Sequence, residues 1–94
     1  EKAVYDNKEI LFKVQIVSSK QKIKIKPKNF KGLENVKENE IDGYYKYTVG
    51  AEYDFDKIVD IQTNVRKKYP DAFVIAIKNG EKISVKQALK EIKQ

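Results

Sequence analysis

The chain has no cysteine and no histidine. Without cysteine there is neither a disulfide framework nor a thiolate metal site, and the redox compartment leaves no mark on the composition. Without histidine the usual general base, the nucleophile–base pair and the commonest transition-metal ligand are missing. Ser18, Ser19 and Ser84 therefore have no imidazole to activate them. Arginine is scarce: of twenty cations nineteen are lysine, with Arg66 the exception. That argues against the arginine forks by which sequence-specific nucleic-acid readers grip bases. No apolar run approaches the roughly 20 residues of a membrane span, and neither a signal-peptide pattern nor a glycine-rich phosphate loop occurs. Carboxylate pairs do occur, Glu38 with Glu40 and Asp54 with Asp56, and two carboxyls roughly 5–10 Å apart can hydrolyse a glycoside. Each pair has a plainer role, as edge-strand charges that discourage aggregation and as acids at a helix start. The expectation is a chain without catalytic residues, metal ligands or a cofactor.

What is present fits one thin, wet domain. Ninety-four residues support a single small core, and 36% charged against 40% hydrophobic residues leaves much of the fold at the surface. The net charge of +6 favours polyanions: nucleic acid, an anionic membrane or an acidic wall polymer. The chain opens at Glu1 without a methionine, as a fragment cut from a longer protein would. Residues 1–9 read as a linker or disordered end, and residues 10–94 as the domain.

The clearest strand is Gly43-Tyr44-Tyr45-Lys46-Tyr47-Thr48-Val49-Gly50. Alternation turns Tyr45, Tyr47 and Val49 toward a core and Tyr44, Lys46 and Thr48 toward solvent. Asp42-Gly43 is a type I′ hairpin signal that joins it to residues 35–41 and sets Ile41 opposite Tyr44, Asn39 opposite Lys46 and Lys37 opposite Thr48. Ile10 to Ser19 is an earlier strand rich in β-branched residues. Strict alternation puts Phe12, Val14 and Ile16 on its apolar face and Lys13, Gln15 and Val17 on the other. Between these strands residues 20–34 carry no amphipathic helix. Lys22 to Lys26 alternates and stops at Pro27, and Phe30 and Leu33 are plugs beside one turn closed by Gly32.

Asp54 is an N-cap for a helix running to about Tyr69, with Phe55, Ile58, Val59, Ile61, Val65 and Tyr69 in an arc of about 160°. Asp71 to Lys78 is a nearly continuous apolar strand; either Phe73, Ile75 and Ile77 or Ala72, Val74 and Ala76 meet the helix. Asn79-Gly80 makes a second hairpin, and Ser84 to Gln87 a capping box opening a last helix. The order predicts an α+β, RNP- or ferredoxin-like βαββαβ fold with a reduced first helix and an extra C-terminal hairpin and helix. Its antiparallel sheet of four or five strands is covered by helices on one face, leaving the other for function.

Two stretches, Phe12-Lys13-Val14-Gln15-Ile16-Val17-Ser18-Ser19 and Tyr45-Lys46-Tyr47-Thr48-Val49-Gly50, together resemble the first and third strands of the SPOR (sporulation-related repeat) domain. Asn29-Phe30-Lys31-Gly32-Leu33 and Lys78-Asn79-Gly80-Glu81-Lys82-Ile83 are similar to a branch of that family found at the C-terminus of N-acetylmuramoyl-L-alanine amidases. The resemblance spans residues 10–92. Two features depart from it: the first helix is replaced by residues 20–34, and Ala51 stands where proline is common. The resemblance implies a non-catalytic module for peptidoglycan glycan strands stripped of stem peptides, attached to an upstream amidase domain and located in the periplasm or cell envelope. It carries Gln15, Ser18, Ser19, Lys46 and Thr48 over to a glycan groove, which Asn39 and Tyr44 join through the hairpin register. No membrane insertion is implied.

Two other readings fit the same residues. An RRM-like single-stranded RNA binder shares the βαββαβ order and a basic-aromatic third strand, although the face with Lys13 and Gln15 offers no aromatic on the first strand. A protein-interaction domain would use a free strand edge.

Overall fold

The computed structural model describes residues 8–93; the linker expected over residues 1–9 lies, as far as residue 7, outside the described residues. Among the described residues five strands form one antiparallel sheet: β1 (Ile10–Ser19), β2 (Val36–Ile41), β3 (Tyr44–Glu52), β4 (Phe73–Lys78) and β5 (Glu81–Ile83), in the order β2-β3-β1-β4-β5. Helices α1 (Phe55–Val65) and α2 (Val85–Ile92) share one face of it. The arrangement is a ferredoxin-like βαββαβ domain whose first crossover holds only a 3-10 turn, Pro27–Phe30, and whose sheet gains β5 as an extra edge.

Turn chemistry sets the hairpins. Asp42 and Gly43 have φ of 53° and 80°, and Asn79 and Gly80 of 51° and 78°, the paired left-handed residues of a type I′ turn. The first turn fixes Ile41 opposite Tyr44, Asn39 opposite Lys46 and Lys37 opposite Thr48. Asp54 caps α1 by accepting from the Asp56 and Lys57 amides at 2.9 and 3.3 Å. The helix ends at Val65, four residues short of the expected Tyr69. The amides of Lys67 and Lys68 bond three residues back, to Asn64 and Val65, which tightens the last turn out of α geometry. Arg66 Nε donates to the Ala72 carbonyl at 2.7 Å, so the single arginine closes the loop into β4. Ser84 caps α2 through the Gln87 amide at 3.0 Å, while the Gln87 side chain turns to Glu91 instead of completing the box.

The core lies between the helices and one face of the sheet. Phe12 and Val14 are fully buried against Ile58 and Val65 of α1, Ala76 of β4 and Ala88 of α2. Pairing with β1 puts Val74 opposite Val14 and Ala76 opposite Phe12, which settles the ambiguity of β4: Val74 and Ala76 face the helices, and Phe73, Ile75 and Ile77 face away.

Strict alternation fails between β1 and β3. Phe12 pairs with Glu52 but Val14 with Val49, so β3 contributes one extra residue; Gln15 pairs with Thr48 but Val17 with Tyr47, so β1 contributes the next. These are β-bulges, which bend the strand and increase its twist. The first includes Gly50, whose φ is 81° and where an added Cβ would lie 3.0 Å from Ile61. The second reverses the parity of β1 after Gln15. Val17, expected with Lys13 and Gln15, joins Tyr47 and Phe30 on the helix side.

Residues 20–34 occupy the place of the missing helix. Phe30 is buried against Tyr47 with ring centroids 5.1 Å apart. The Tyr47 hydroxyl accepts from the Ile23 amide at 2.6 Å, its proton shared between the Glu38 carboxylate and the Ile23 carbonyl. One side chain thus supplies an apolar floor and a polar latch. Tyr47→Phe keeps the floor and removes the latch. A stability loss of about 1–2 kcal/mol in urea unfolding is expected, because a partly buried amide loses its acceptor, with faster hydrogen exchange at the Ile23 amide. Unchanged exchange there would show that the segment is held by packing alone.

Candidate functional site

The face without helices gathers side chains from four strands. β1 contributes Lys13, Gln15 and Ser18, β3 Tyr44, Lys46 and Thr48, β2 Lys37, Asn39 and Ile41, and β4 Phe73, Ile75 and Ile77. Ser18 is there because of the second bulge: three residues after Gln15, it stands opposite Lys46 and accepts from its Nζ at 2.9 Å. The same shift removes Ser19. It lies opposite Tyr45 on the helix side, and its hydroxyl closes a local turn with the Gln21 amide and carbonyl. Of the seven residues expected to line the groove, the structure brings Gln15, Ser18, Asn39, Tyr44, Lys46 and Thr48 to one face and leaves Ser19 off it.

This face is a trough. Among the described residues no helix covers it, yet Thr48 is only 1%, Ile75 2% and Gln15 6% exposed. The outermost strands also approach one another, since Glu40, Ile41 and Asp42 of one hairpin and Gly80, Glu81 and Lys82 of the other line a single cavity of about 330 Å³. The bulges supply the curl.

Chemically the trough has two sides. On one, polar groups are chained across three strands. Lys13 Nζ donates to Asn39 Oδ1 at 2.9 Å, and Asn39 Nδ2 donates to Thr48 Oγ1 at 3.0 Å. Burial, helped by the neighbouring charge of Lys37, holds the Lys13 ammonium below the ordinary lysine pKa of 10.5. Lys46 lies 5.0 Å and Lys20 5.9 Å from the centroid of the Tyr44 ring, which fixes that ring by cation–π attraction. On the other side the apolar residues of β4 end at Phe73, which is 42% exposed. Between them, Gln15 Oε1 is shut from solvent and has no hydrogen-bond partner among the described residues. An unpaired buried carbonyl costs about 1–3 kcal/mol, and glutamine's soft terminal torsion allows that oxygen to turn into the trough and accept from a ligand.

Two members escaped the sequence reading. Lys13 shares the parity of Gln15, and that was its signal; Phe73 had none, because both faces of β4 are apolar. Among the described residues no group of three or more His, Cys, Asp or Glu side chains is placed to hold a metal ion. No family model, no curated protein and no solved structure matches the chain.

Two outcomes follow from this chemistry. Gln15→Met keeps length and removes the unsatisfied oxygen, so the variant is expected to unfold about 1 kcal/mol later in urea than the parent; a loss of that size would mean that the oxygen has a partner. Lys13 titrates below an unfolded lysine. Between its folded value and 10.5 the unfolded chain therefore binds more protons at this lysine than the folded one, so the Lys13 contribution to stability rises with pH across that window, against the opposite contribution of Tyr69, whose pKa burial raises. In Lys13→Met that contribution should vanish, leaving stability to fall more steeply with pH than in the parent. In Lys37→Gln the Lys13 resonance should titrate nearer its ordinary value while staying below it, since burial is the larger cause.

Proposed function

We propose that this domain is a non-catalytic binding module for glycan strands, specifically peptidoglycan stripped of its stem peptides. In this reading it delivers a covalently attached, upstream N-acetylmuramoyl-L-alanine amidase to its substrate in the periplasm or cell envelope. The observation that carries the reading is the two-sided trough. Its polar side offers the Lys46 ammonium and the Ser18 hydroxyl to sugar hydroxyls and acetamido groups, and lysine meets the carboxylate of N-acetylmuramic acid as a point charge. Its aromatic rims, Tyr44 and Phe73, suit the apolar C–H faces of pyranose rings. The unpaired Gln15 oxygen calls for a donor, which a sugar hydroxyl or acetamido N–H provides.

The exposed Tyr44 and Phe73 on one basic face are also what single-stranded RNA would use. Stacking platforms, however, set aromatics on adjacent strands. Here β1 lies between the two rings, and the register separates them along the strands by a further four or five residues, on the order of 15 Å. That spacing favours a stiff oligosaccharide over stacked neighbouring bases.

Co-sedimentation with purified sacculi tests the reading, before and after an amidase removes the stem peptides, with poly-U RNA as control ligand. Stronger pelleting on stripped sacculi is expected, reduced at least about tenfold in Gln15→Ala and in Lys46→Ala, the effect of one lost polar contact. Salt-sensitive binding to poly-U with no pelleting on sacculi would replace the glycan by RNA. Silence toward both would leave a protein-interaction domain.

A further inference from the structure

Residues 20–31 hold six lysines (Lys20, Lys22, Lys24, Lys26, Lys28 and Lys31) and no acid. At their centre Ile25 is 50% exposed, the most exposed large hydrophobic residue among those described. Its position is built. The Lys26 amide bonds to the Lys24 carbonyl at 3.0 Å, a three-residue γ-type turn that has Ile25 at its apex. The same carbonyl accepts from Asn29 Nδ2 at 2.9 Å, and the Asn29 amide bonds to the Lys26 carbonyl at 2.9 Å. Pro27 stiffens the exit and the Tyr47 latch holds Ile23. Beside the tip, Ile23 and Ile25 help to line a recess of about 470 Å³ with Lys22, Lys24 and Glu38. Glu38 pairs with Lys22 at 3.7 Å, while Lys24, Lys26 and Lys28 make no ion pair among the described residues.

A fixed apolar tip ringed by unpaired ammonium groups is complementary to a surface that is anionic outside and apolar beneath. A soluble polyanion would satisfy the lysines and give Ile25 nothing. We propose that this knuckle rests on an anionic lipid surface, Ile25 entering the boundary between headgroups and acyl chains while Lys24, Lys26 and Lys28 meet lipid phosphates. The contact is superficial; among the described residues no helix is long and apolar enough to cross a membrane. Because Ile23 is latched to Tyr47 on the helix side of the sheet, the knuckle belongs to the side opposite the trough, and both surfaces can be engaged together. The proposal does not depend on the glycan reading.

Flotation of the 94-residue chain with vesicles of mixed phosphatidylglycerol and phosphatidylcholine tests it, against pure phosphatidylcholine, at physiological ionic strength. Binding is expected to the mixed vesicles alone. Neutralising Lys24, Lys26 and Lys28 together with glutamine should weaken it about a hundredfold, taking roughly fivefold for each lysine at the surface. Ile25→Ser should weaken it about tenfold, and Lys46→Ala should leave it unchanged. All these positions are solvent-facing or partly so, and circular dichroism checks that each variant is folded. No flotation with mixed vesicles overturns the proposal. So does flotation indifferent to Ile25→Ser and abolished by free polyphosphate, which would make the knuckle a site for soluble polyanions.

Discussion

The pairing of β1 with β3 is interrupted twice, and the shape of the molecule depends on those interruptions. Without the residue added at Gly50 and the one added after Gln15, the two strands would form a regular ladder. Val17 would then face the trough and Ser18 the core. With the bulges, Val17 is redirected beneath the 20–34 segment, Ser18 is brought to Lys46, and the sheet curls until its two hairpins line one cavity. Burial of Gln15, Thr48 and Ile75 on a face that no helix covers follows from that curl. Gly50 is the residue that allows it, since its left-handed φ and its contact with Ile61 exclude any other side chain without strain.

A second constraint works on the other face. A ferredoxin-like sheet needs cover over β2 and β3; α1 packs on β3 around Val49 and Gly50 through Ile58 and Ile61, and the cover beyond them falls to an irregular segment. Tyr47 holds that segment at two points, its ring against Phe30 and its hydroxyl on the Ile23 backbone. A segment held by a few anchors can carry a composition that no amphipathic helix could, and residues 20–31 accordingly present lysines outward around one exposed isoleucine. The sheet therefore has two chemically different surfaces: a trough with hydrogen-bonding groups and aromatic rims, and a cationic knuckle.

How much of this was legible from residues alone depends on the range of the interaction that decides each feature. Turn and cap chemistry is local. Asp42-Gly43 fixed the register of β2 against β3 pair by pair, and Asp54 and Ser84 marked the helix starts. The end of α1 was misjudged because the apolar arc continues to Tyr69, which does reach the core, though from a tightened turn rather than a helix. The faces of β4 were decided by its pairing with β1, a contact between distant segments on which a uniformly apolar strand gives no information. The bulges were hidden for a related reason: a single extra residue leaves no compositional trace, and Gly50 hints at one of the two only. Ser19 and Val17 were assigned to the wrong face on that account, and Phe73 was missed as a rim of the trough.

The most direct test of the central claim, that the helix-free trough receives glycan, is an amide and side-chain NMR titration of the domain with soluble stripped glycan strands. The Gln15 side-chain amide is expected to shift most, together with the backbone signals of Ser18, Lys46, Thr48 and Phe73, while Ile23 to Asn29 on the opposite side stay in place. Shifts concentrated in residues 22–31 with the Gln15 amide unmoved would contradict that claim, and would assign any wall binding to the lysines rather than to the trough.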